Sequence, residues 1–132
     1  MTSPTARRAT TPQEMHSVFK ELLDARDLDG LLTLYEETAA MLNGAGQVAS
    51  GLAAIRESLA PFVGMEANIT FQPAEVVQAG DIALVHAKWS ATGKTPDGPI
   101  EMAGVTSEIV RRQPDGRWLY VVDDPGVGAT AP

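Results

Sequence analysis

Apolar residues in the first half of the chain recur at helical spacing. Met15, Val18, Phe19, Leu22 and Leu23 fall at intervals of 3, 4, 7 and 8, which is one stripe of a helix running to about Ala25. Thr11 stands where an N-cap belongs, Pro12 suits the first helical position, and Glu14 completes a capping box. Asp27 caps a second, shorter helix whose inward stripe is Leu28, Leu31, Leu32 and Tyr35. Residues 39–42 predict a short strand, ended by the turn composition Asn43-Gly44-Ala45-Gly46. Ser50 then caps a third helix with Leu52, Ile55, Leu59 and Phe62 turned inward, closed by Pro61 and Gly64.

From Met65 onward the period changes. Residues 67–77 carry Ile69, Thr70, Phe71, Val76 and Val77, which favour a strand, while Pro73 marks a bulge or an edge. Ala79-Gly80-Asp81 is a hairpin turn, residues 82–92 a second long strand, and 93–99 a turn-rich loop. Residues 100–112 form a third strand, Gln113-Pro114-Asp115-Gly116 a turn, and 117–123 a fourth strand. Residues 1–10 and 126–132 are expected to be disordered tails flanking one domain at 11–125. Helices followed by consecutive hairpins predict an α+β fold with an antiparallel sheet covered on one face.

Composition narrows the function classes. The 132 residues include no cysteine, which excludes disulfides, thiolate-held metal and a cysteine nucleophile. A net charge of −7, with no basic run, argues against nucleic acid and against a membrane-surface helix. No segment reaches the roughly 18 apolar residues of a membrane span. No apolar run follows Arg7 and Arg8, so no signal peptide is read there, and a cytoplasmic location is expected. His16, placed on the polar side of the first helix, and His86 are too far apart to pair as metal ligands. Gly44-x-Gly46-x-x-Ala49 imitates a dinucleotide fingerprint but lacks the βαβ repeat, and is read as a flexible loop over a pocket mouth. A Gly-x-Ser-x-Gly nucleophile elbow is missing.

The string Asp27-Leu28-Asp29-Gly30-Leu31-Leu32-Thr33-Leu34-Tyr35, then Ala39, then Gly51-Leu52-Ala53-Ala54-Ile55-Arg56, resembles the pattern of SnoaL-like proteins of the nuclear transport factor 2-like superfamily. Gly116-Arg117-Trp118 followed by Asp123 is similar to that family's last-strand signature. The resemblance covers about residues 12–125 and implies a cone-shaped, cystatin-like α+β barrel, three helices on a curved sheet that enclose a pocket. It also implies a homodimer through the outer sheet face. Activities within the superfamily include ketosteroid isomerase, polyketide cyclase, dehydratase and epoxide hydrolase, and some members have none, so fold does not decide. Aligned on ketosteroid isomerase, its tyrosine falls on Phe19, its base on Asn43 and its protonated acid on Glu108. Phe19 has no hydroxyl and Asn43 takes up no proton, so that mechanism lacks two of its three groups here.

Strand alternation places Met102, Gly104, Thr106, Glu108 and Val110 on one face. If the 113–116 turn sets Arg112 opposite Arg117, Thr106 faces Asp123 and Glu108 faces Val121, which leaves Glu108 and Asp123 diagonal neighbours. Two carboxyls sharing a poorly solvated pocket suit acid/base work. If the register slips by one, either carboxylate meets solvent or a backbone amide instead. Val85, Ala87, Trp89 and Ala91 share a face that the family alignment turns inward, so Trp89 either stacks on a flat ligand or is simply core. His86 and Lys88 lie on the opposite face, at a dimer interface or in solvent. Two readings compete. In the first the chain is a cofactor-free isomerase, cyclase, dehydratase or hydrolase of a small hydrophobic carbonyl or hydroxy compound. Glu108, Asp123 and Asn43 then act, in a pocket formed by Phe19, Trp89, Tyr35 (a packing residue), Val85, Ala87, Met102, Thr106 and Val121. In the second it is a non-catalytic small-molecule-binding or dimerisation module. A purely structural association domain, its pocket filled by its own side chains, is a third.

Overall fold

The computed structural model describes residues 8–43 and 46–126. Helix α1, Met15–Asp24, follows a single 3₁₀ turn at Pro12–Glu14. The Glu14 carboxylate accepts from the Thr10 amide and from the Thr10 and Thr11 hydroxyls at 3.1, 2.8 and 3.2 Å, one residue earlier than the expected capping box, and the Thr11 side chain does not cap the turn. Met15, Val18, Leu22 and Leu23 are buried, each contributing about 1.5–3 kcal/mol of transfer free energy. Helix α2, Leu28–Leu32, is capped by Asp27, whose carboxylate accepts from the Gly30 amide at 2.8 Å.

Tyr35 does not continue that helix. It opens strand β1, Tyr35–Leu42, because the parallel partner β6, Trp118–Asp124, offers backbone bonds there, and the Tyr120 amide donates to the Leu34 carbonyl at 2.7 Å. A strand the sequence reading missed, β2 (Val48–Ser50), pairs with β1. Ser50 therefore belongs to a strand, and the cap of helix α3, Leu52–Gly64, is Gly51 at φ 86°, a conformation a side chain resists. Pro61 lies inside α3 and does not end it. The expected loop over the pocket mouth falls partly on Gly44 and Ala45, outside the described residues, and its remainder leads into β2.

The rest is a meander of β3 (Asn68–Ala79), β4 (Ile82–Thr95), β5 (Gly98–Arg112) and β6. Strand order is β2-β1-β6-β5-β4-β3, antiparallel except for β1 against β6. The sheet is thus mainly antiparallel, curved beneath the three described helices into the cone-shaped, cystatin-like α+β architecture. The loop expected at 93–99 is largely strand, with β4 and β5 paired out to Thr95 and Gly98. β3 is an edge and its register shifts between Pro73 and Val76, as the proline required. Residues 8–10 are not tail: Ala9 is buried and accepts from the Trp118 amide at 2.9 Å. The remaining expected tail positions, 1–7 and 127–132, lie outside the described residues. No helix among the described residues is long and apolar enough to cross a membrane.

Candidate active site

The feature that builds the site is an irregularity between β5 and β6. Arg112 pairs with Trp118 and Val110 with Tyr120, yet Ile109 pairs with Val122 and Glu108 with Asp123. Val121 is the extra residue of a bulge. Without it, alternation from Trp118 and Tyr120 would turn Val122 inward and Asp123 out. With it, Glu108 and Asp123 face one another directly inside the cone, 4% and 6% exposed. The diagonal arrangement expected from a regular hairpin is corrected to a direct one, and Val121 is half-buried at the bulge rather than on the wall of the cavity.

The two carboxyls belong to a buried chain of four groups. The Tyr35 hydroxyl donates to Asp123 Oδ2 at 2.6 Å. Asp123 faces Glu108 across the β5–β6 pairing. Glu108 Oε1 lies 2.6 Å from His16 Nε2. Two buried carboxyls set opposite one another do not both ionise readily, so one of them favours its neutral form. Burial, then the Glu108 charge, pushes the Asp123 carboxyl well above the ordinary aspartate range, against the opposing pull of the Tyr35 hydrogen bond. Burial likewise pushes the Tyr35 and Tyr120 hydroxyls up, aided by the charge of Asp123 for Tyr35 and of Glu108 for Tyr120.

This chain borders a cavity of about 60 Å³. Its polar wall is Thr106, Glu108, Tyr120 and Asp123, and its apolar wall includes Phe19, Phe62, Phe71, Trp89, Met41 and Ile69. All three phenylalanines of the chain line it. The Tyr120 hydroxyl is buried with no hydrogen-bond partner among the described residues. Thr106 Oγ1 accepts from the Ala87 amide at 2.9 Å. Trp89 Nε1 donates to the Pro125 carbonyl at 2.7 Å, which ties the segment just after β6 to the cavity wall.

Of the residues named from sequence, Phe19, Trp89, Thr106, Glu108 and Asp123 meet at this cavity, and Tyr35 stands one bond behind it. Val85 and Ala87 are buried on the same face of β4 without forming its wall, and Met102 is half-buried away from it. Asn43 is elsewhere: its backbone amide donates to the Gln47 carbonyl at 2.8 Å and its Oδ1 accepts from the Gln47 amide at 3.0 Å, in the turn between β1 and β2. His16 is the main correction. It is 6% exposed and buried, not on a polar face, with its ring stacked on Phe71 at 4.7 Å and 28°. The signal was present, since His16, Phe19 and Leu23 stand at helical intervals of 3 and 7, a second inward line beside the first. Tyr120 was not singled out, although alternation from Trp118 puts it on the same face. No group of three or more His, Cys, Asp or Glu fit to hold a metal ion occurs among the described residues.

Comparison with known proteins follows the same lines. A family model described as a SnoaL-like domain matches residues 16–121. A nuclear transport factor 2-like superfamily protein from Salmonella enterica superposes with a TM-score of 0.76 at 17% identity, covering 91% of this chain and 89% of that one. A nuclear transport factor 2-like protein with a cystatin-like fold from Novosphingobium aromaticivorans gives 0.75 at 18%, over 90% and 80%. A ketosteroid isomerase-like protein from Erwinia carotovora atroseptica gives 0.73 at 14%, over 91% and 100%. At such identities the likeness is one of fold. A search of curated proteins returns no match.

Proposed function

The chain belongs to the SnoaL-like domain family, and from that premise we propose that it is a cofactor-free acid/base enzyme that moves a proton on a small apolar carbonyl or hydroxy compound. That step is common to isomerases, cyclases and dehydratases. The observation that carries the reading is the Glu108–Asp123 pair, two carboxyls facing each other at the polar end of an otherwise apolar cavity. Glu108 is the base that accepts a proton from carbon. Asp123, holding its proton, and the unpartnered Tyr120 hydroxyl serve the substrate oxygen, on which negative charge develops. The proton gained by Glu108 returns to carbon or exchanges with water, which leaves Glu108 a carboxylate again, and Asp123 keeps its own proton throughout.

The cavity sets the scale of the substrate. At about 10–15 Å³ for each water-sized sphere, 60 Å³ holds a handful of heavy atoms, the size of a small ring and short of a steroid. Phe19, Phe71 and Trp89 favour a flat ring over a flexible chain. A homodimer through the outer sheet face belongs to the same reading, supported by apolar side chains left exposed there.

The test is hydrogen–deuterium exchange at the α-carbon of unsubstituted five- and six-membered cyclic ketones, followed by NMR in heavy water. The wild-type protein is expected to accelerate exchange, and Glu108→Gln to reduce it by roughly 10²–10⁴-fold while the fold is kept. Equal exchange by the two proteins would remove Glu108 from the chemistry. Saturable binding of the ketones with no exchange by either would establish a binding module instead.

A further inference from the structure

Two carboxyls that share one proton do not by themselves say which is the acid and which the base. We propose that His16 decides it: its Nε2–H donates to Glu108, holds the negative charge there, and so makes Asp123 the member that keeps the proton. This rests on the acid/base reading of the cavity and deepens it, since it turns a symmetric pair into a base and an acid with fixed positions. His16 does not line the cavity and acts through Glu108, which makes it a positioning residue.

The geometry is asymmetric in three respects. Each carboxyl has one short polar contact, at 2.6 Å in both cases, but the partner of Glu108 is an imidazole and the partner of Asp123 is a phenol that donates to it. An imidazole can carry a full positive charge within the pair, and a phenol only partial charge, so the negative charge is held better on Glu108. Asp123 also has Asp124 beside it, whose charge opposes ionisation of Asp123, while Val85, the residue across from Glu108 on β4, carries no charge. The remaining ionisable group at this end is Tyr120 of β6, with Tyr35 of β1 behind Asp123. His16 is held for the purpose. Phe71 stacks on its face, and Phe19 meets Phe71 edge-on at 6.1 Å, so the ring plane and the direction of Nε2 are fixed by packing.

The experiment follows the carboxyl carbons of Asp123 and Glu108 by carbon-13 NMR against pH, in the full-length wild-type protein and in His16→Phe and His16→Gln, with Glu108→Gln for assignment. In the wild type the Asp123 carbon keeps the neutral-acid position at neutral pH while the Glu108 carbon reports a carboxylate. In His16→Phe the Asp123 midpoint moves to lower pH. His16→Gln, which restores an N–H donor, moves it back toward the wild type. Unchanged titration curves in a folded His16→Phe would overturn the proposal. If His16→Phe does not fold, nitrogen-15 shifts of the wild-type imidazole decide: a protonated Nε2 at neutral pH supports it, and a bare Nε2 overturns it. None of these readouts requires turnover. A failed ketone assay with the expected titrations sinks the enzymatic reading alone, and the converse result sinks the role of His16 alone.

Discussion

Asp123 is the residue at which stability and function are expected to oppose each other. A buried aspartic acid whose folded-state affinity for its proton exceeds that of the unfolded chain has a definite pH signature. Below the ordinary value of 3.8 both states hold the proton, and no penalty arises. As pH rises past that value, the unfolded chain releases its proton while the folded chain keeps it. Stability therefore falls with rising pH until the raised folded value is reached, and is level above it. Asp123→Asn removes the titration but keeps an acceptor for Tyr35 and a donor toward Glu108. The expected outcome is a variant less active than the wild type yet more stable at neutral pH, with the gap in Tm between them widening as pH rises above the ordinary aspartate value of 3.8. Parallel thermal melts check this, and a gap that stays constant with pH would show that Asp123 is not held neutral by the fold.

At the scale of elements, helices and strands were legible where a stripe or an alternation governed burial, and were misjudged where a partner strand governed it. The stripe of α1 survives intact, whereas Tyr35 fits the period of α2 and nevertheless joins β1, because β6 lies alongside to bond it. The short arm β2 carries only three residues and no periodic signal. Glu108 and Asp123 were legible as inward residues, but the bulge at Val121 that brings them face to face was not, since no proline or glycine marks it. His16 was hidden by its polarity within an apolar helix. The same scale holds the contact of β5 with the segment that follows β6. Gly104 has no side chain, and a Cβ there would collide with the Gly126 carbonyl and lie 2.8 Å from Trp89 Nε1. Gly104→Ala is accordingly expected to cost about 1–3 kcal/mol by overpacking and to break the Trp89–Pro125 hydrogen bond. Urea melts measure the first effect. Acrylamide quenching of Trp89 in a Trp118→Phe background measures the second, and quenching as weak as in the parent would mean that Pro125 still covers the indole.

The whole molecule presents two faces of opposite character, the inner one closed by helices and the outer one bare. On the outer face Val77 pairs with Leu84, Leu84 with Ile109, and Ile109 with Val122, so four exposed apolar side chains form one row across β3, β4, β5 and β6. Leu42 on the flanking strand β1 and Ile82 at the start of β4 are exposed and apolar as well. A row of this extent is more than scattered surface leucines, and a two-fold axis through its middle would set it against its own copy. Opposing this is the net charge of −7, which makes two copies repel over distances set by salt. Association is therefore expected to be salt-promoted, the reverse of an interface held by ion pairs. Light scattering on the eluting protein should give about twice 14.0 kDa at moderate salt, with monomer gained as salt is withdrawn. Ile109→Lys places a charge at the centre of the row on each copy and should leave a folded monomer at every salt concentration. If the wild-type chain runs as a monomer throughout, or if the dimer withstands Ile109→Lys, the outer face is not the surface on which two copies meet.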